Sequence, residues 1–75
     1  MNEEKNETKK EKFERLAALR TNEVLKRLRI LGNCSNKNFY EYADKDIQKI
    51  FSAIEDELKA IKAMFRKSQQ KEFKL

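Results

Sequence analysis

Residues 31–46, LGNCSNKNFYEYADKD, divide the chain. They hold its single glycine, its single cysteine, both tyrosines and one of its five phenylalanines. On either side lie highly charged segments whose apolar residues recur at helical spacing. As a link between two helices, 32–43 is about a dozen residues long, where packed helices are usually joined by roughly 2–8. A connector this long and this aromatic is expected to be packed or functional.

Working back towards the N-terminus, Thr8-Lys9-Lys10-Glu11 fits a capping box. In that motif the threonine hydroxyl accepts from the third helical amide and the glutamate reaches back to the cap. This predicts a first helix over about 9–31, preceded by a disordered charged tail, 1–8. Within the helix, Phe13, Leu16, Ala17, Val24, Leu28 and Leu31 fall in a wedge of about 120°. Arg20 and Arg27 lie near the same wedge and are expected to lay their aliphatic stems along its edge with their heads in water. Leu19, Leu25 and Ile30 point elsewhere, so this helix needs a second apolar neighbour. Gly32-Asn33 reads as its stop, with glycine in the left-handed conformation that closes the last carbonyls.

Towards the C-terminus, the second helix is predicted over about 44–67. Ala43 or Asp44 is its cap, and Tyr42 and Ile47 have the spacing of a hydrophobic staple. Asp44 and Asp46 suit the positive end of the helix dipole. The apolar pattern here is cleaner. Ile47, Phe51, Ile54, Leu58, Ile61 and Phe65 alternate by four and three, a heptad seam, with Ile50 beside it. Glu55 and Lys59 form a favourable pair one turn apart on the outer side. Residues 68–75 read as a basic tail.

The expected fold is therefore all-α, a two-helix antiparallel hairpin with a long structured connector. Seventy-five residues sit below the size at which one core comfortably supports itself, and the usual remedy is self-association. A homodimer closing into a four-helix bundle is expected. Its seam would comprise Phe13, Ala17, Val24, Leu28, Leu31, Ile47, Phe51, Ile54, Leu58, Ile61 and Phe65.

Several chemistries find no footing. With no histidine, Ser-His and Cys-His nucleophiles and zinc-finger ligand sets are excluded, and one glycine cannot make a phosphate-cradling loop. Paired acids such as Asp44 and Asp46, or Glu55 to Glu57, read as dipole matching and a solvated face. No enzyme activity, metal or cofactor is expected. Cys34 reads as a small buried hydrophobe. No apolar run approaches the roughly 18 residues of a membrane span, and Met1 is followed by charges, so a cytoplasmic protein without a membrane partner is expected.

The net charge is +5. Residues 66–75 carry four bases against one acid, so over half of the excess sits in the tail and little on a helix face. Arg15, Lys26 and Arg29 nevertheless line the outer side of the first helix, and Lys37 and Tyr40 sit in the connector. These five are the candidate nucleic-acid contacts, through phosphate pairing and base stacking. Against them stand Glu11, Glu14 and Glu23, which interrupt the basic stripe. Phe39, Tyr40 and Tyr42 also suit closure of the open end of a bundle, the reading preferred here. The leading expectation is a small non-enzymatic helical interaction module, an adaptor or regulator with a protein partner. The alternative is a small basic nucleic-acid-binding accessory protein.

Overall fold

A computed structural model describes residues 6–69, which are all-helical apart from their connections. Helix α1 spans Lys9–Gly32, a 3₁₀ turn follows at Asn33–Ser35, and helix α2 spans Asp44–Gln69. The chain divides between Tyr40 and Glu41 into two compact units, one built on each helix. The expected disorder of residues 1–5 and the basic end 70–75 lie outside the described residues.

Helix α1 starts where its first free amides find side-chain acceptors. Thr8 is extended, and its hydroxyl accepts from the Glu11 amide at 3.0 Å, while the Glu11 carboxylate accepts from the Thr8 amide at 3.0 Å. Both halves of the capping box are present, worth about 1 kcal/mol over an apolar cap. Glu7 and Thr8 are thus both hydrogen-bonded to residues of the helix. Glu7 is held by Arg15, two turns into the helix, through a forked pair of hydrogen bonds of 2.7 and 2.8 Å.

The end of α1 differs from the expected glycine stop. Gly32 has φ −58° and ψ −27°, right-handed helical values, and no described residue has a positive φ. The helix runs through it. The chain then tightens, with Asn33 donating its amide to the Ile30 carbonyl and Asn36 donating to Asn33. A 3₁₀ turn satisfies the last carbonyls by shortening the hydrogen-bond step, so no left-handed residue is required.

Asn36 organises the connector. Its side-chain oxygen accepts from the Asn38 amide at 2.9 Å, and its carbonyl accepts from the amides of Phe39 and Tyr40 at 3.1 and 3.0 Å. This is an Asx turn followed by a tight backbone turn.

Ala43 immediately precedes α2, and its carbonyl accepts from the Asp46 and Ile47 amides. Alanine has no side-chain acceptor, so only the return half of a capping box forms. Asp46 accepts from the Ala43 amide at 2.8 Å. Asp44 and Asp46 occupy the first turn and Arg66 and Lys67 the last, matching the dipole at both ends. The helix continues to Gln69, beyond the stop expected near Lys67. Ser68 and Gln69 offer no stop chemistry, and both tolerate the helix.

Neither unit contains a closed core, since no described residue is buried. Of the expected seam, Ala17, Leu31, Ile47 and Ile54 are half-buried, and Phe13, Val24, Leu28, Phe51, Leu58, Ile61 and Phe65 are exposed.

A Cβ built on Gly32 meets nothing within 4 Å. Gly32→Ala is therefore expected to raise stability by about 0.4–1 kcal/mol, because alanine restricts the unfolded chain without native strain. Denaturant unfolding of the two proteins checks this, and a loss of stability would restore the glycine-stop reading.

Candidate interaction surface

The two helices present different surfaces. Continuing the four-three alternation along α1 gives Phe13, Ala17, Arg20, Val24, Arg27 and Leu31. Two of these six positions are arginine. The same alternation along α2 gives only apolar residues, and α2 is the more sharply segregated helix. Full desolvation of an unpaired guanidinium is costly, so the α1 stripe suits a surface that stays partly wet. The α2 stripe carries no such penalty.

On α2 the exposed apolar side chains run from Ile50 and Phe51 through Leu58 and Ile61 to Met64 and Phe65, the last 52% exposed. Ile47 and Ile54 are half-buried within the same row. Ile47 lies five residues after Tyr42, itself half-buried, in the spacing of the staple that sets how the chain enters the helix. This row brings together the seam residues expected on the second helix. It also includes Met64, which the sequence reading left out.

The aromatic residues of the connector separate into two environments. Phe39 is 78% exposed and its ring meets Tyr40 edge to face, with centroids 6.5 Å apart and planes at 61°. Tyr42 belongs instead to the unit that contains α2.

The candidate nucleic-acid contacts Arg15, Lys26, Arg29, Lys37 and Tyr40 all lie in the first unit and are exposed. Arg15 is nonetheless engaged. The Glu7 hydrogen bond raises its pKa further above the ordinary guanidinium value and holds the Glu7 carboxyl below the usual 4.5. A guanidinium forked onto a carboxylate has little left to offer a phosphate. Sequence reasoning missed this pair because Glu7 precedes the helix, where turn-spacing rules do not reach.

Cys34 lies in the 3₁₀ turn and is exposed, which corrects the expectation of a buried thiol. Among the described residues, no cluster of three or more cysteine, aspartate or glutamate side chains is placed to hold a metal ion. No helix among them is long and apolar enough to cross a membrane. In comparisons with protein-family models, curated proteins and solved structures, nothing matches this chain.

Two measurements probe this surface. The depressed Glu7 pKa means that the Glu7–Arg15 contribution is fully present above the unfolded carboxyl pKa and is lost as pH falls through the folded value. Arg15→Ala should return the Glu7 titration, followed by carboxyl NMR, towards its ordinary value. An unchanged titration would mean that the pair does not form in solution.

The staple predicts unequal tyrosines. Tyr42→Ala should lower stability by about 1 kcal/mol, the loss of a half-buried ring, whereas Tyr40→Ala should change it little. Thermal melts of both variants check this, and equal midpoints would remove the staple from the account.

Proposed function

We propose that this chain is a non-enzymatic helical interaction module whose first partner is another copy of itself. In this reading the two helices fold back as an antiparallel hairpin, and two hairpins close into a four-helix bundle. The connector aromatics and the charged outer faces then serve a protein partner, in an adaptor or regulatory role.

One observation carries the proposal. The apolar heptad row of α2 is intact from Ile47 to Phe65, and none of its side chains is buried. Each such side chain gains about 1.5–3 kcal/mol when fully covered. Contiguous apolar patches of this kind are rare on monomers and mark association surfaces. The nucleic-acid alternative is weaker, because Arg15 is tied to Glu7 and acids interrupt the remaining basic stripe.

Light scattering at micromolar concentration tests it. The expected mass is that of a dimer, and Leu58→Asp, which would bury an unpaired carboxylate in the seam, should abolish the folded assembly. A well-folded monomeric wild type would overturn the proposal.

A further inference from the structure

The charges flanking the α2 row point to the orientation of the second copy. We propose that the α2 helices of two copies lie parallel and in register along this seam, an inference that rests on the self-association reading above.

The heptad places Phe51, Leu58 and Phe65 at one core position, a, and Ile47, Ile54 and Ile61 at the other, d. The flanking positions then follow. Ile50, Glu57 and Met64 take g, while Gln48, Glu55, Lys62 and Gln69 take e. In a parallel pair each g residue meets the e residue of the following heptad on the other helix. Glu57 therefore meets Lys62 of the second copy, and symmetry repeats the contact on the opposite side. Ile50 meets Glu55, and Met64 meets Gln69. Within the row from Ile47 to Phe65 no like charges are apposed, and the one like-charge layer, Asp44 against Asp44 at a, falls at the exposed first residue of the helix.

An antiparallel pair is different. The register that keeps all the core layers sets Ile54 against Leu58, with the two-fold axis between them. Glu55 then faces Glu55 on one flank, and Glu57 faces Glu57 on the other. Four carboxylates would crowd the middle of the interface. Apposed like charges oppose pairing, and opposite charges at e and g select partner and direction.

Helix α1 is a poor candidate for the same role. Arg20 and Arg27 take its d positions, so parallel self-pairing would place each arginine against its own copy in the core. The α2 row also extends sideways through Ile50 and Met64 and carries isoleucine at d with Leu58 at a. That combination favours more than two strands, consistent with a four-helix core.

Spin labels report the orientation directly. In a Cys34→Ser background, Lys45→Cys places a single label on the solvent side of the first turn of α2. A parallel in-register pair holds the two labels within about 20 Å. An antiparallel pair displaces them along the axis by about 22 residues, roughly 33 Å. Lys67→Cys provides a second position at the other end of the helix, where the displacement would again be about 22 residues, roughly 33 Å. Dimeric protein with short distances at both sites is the expected result. Dimeric protein with long distances overturns the parallel pairing and leaves self-association standing. Monomeric protein overturns both.

Discussion

An apolar row from Ile47 to Phe65 lies unburied along α2, and covering it is what the proposed self-association would accomplish. A helix of 26 residues is long enough to hold some structure alone, but helical stability in proteins comes mainly from packing an apolar face. Every element of the described chain is locally well formed, yet none of its side chains is buried. Local hydrogen bonding can shape these helices. It cannot supply the large favourable term that opposes chain entropy, which comes from removing apolar surface from water.

Polar groups carry the local work. Thr8 and Glu11 begin α1, Asp46 reaches back to begin α2, and Asn36 ties the connector through its side chain and its carbonyl. Charges at the helix ends match the dipoles, with Asp44 and Asp46 at one end of α2 and Arg66 and Lys67 at the other. These contacts are exposed, so each is modest in free energy. Their role is to set where a helix starts and which way the chain leaves it. Association is a separate matter, governed by the sign and placement of charges beside an apolar row. Here α1 and α2 differ sharply, with arginines inside the α1 row and carboxylates beside that of α2.

The sequence was legible where a structural signal is complete within about one turn. The capping box at Thr8 and Glu11 was readable because both partners and their spacing are contiguous. The α2 heptad was readable because its period is written in six apolar residues without a break. Gly32 was misread, since glycine serves a left-handed cap or an ordinary helical position equally well. The choice depended on whether Asn33 to Ser35 could close the last carbonyls another way, and they do. Cys34 was misread through a general preference of cysteine for burial, which does not hold at this exposed turn position.

By itself, the sequence determined two helices, their amphipathic rows, the Thr8 start and the absence of histidine chemistry. These follow from composition, periodicity and bonds between near neighbours. Only the three-dimensional structure decided that Gly32 stays right-handed, that Glu7 folds back onto Arg15, and that Phe39 and Tyr40 meet edge to face while Tyr42 is half-buried. Those outcomes turn on competition between alternative partners for the same amide, guanidinium or ring. Spacing along a chain names the competitors, but geometry in space chooses among them.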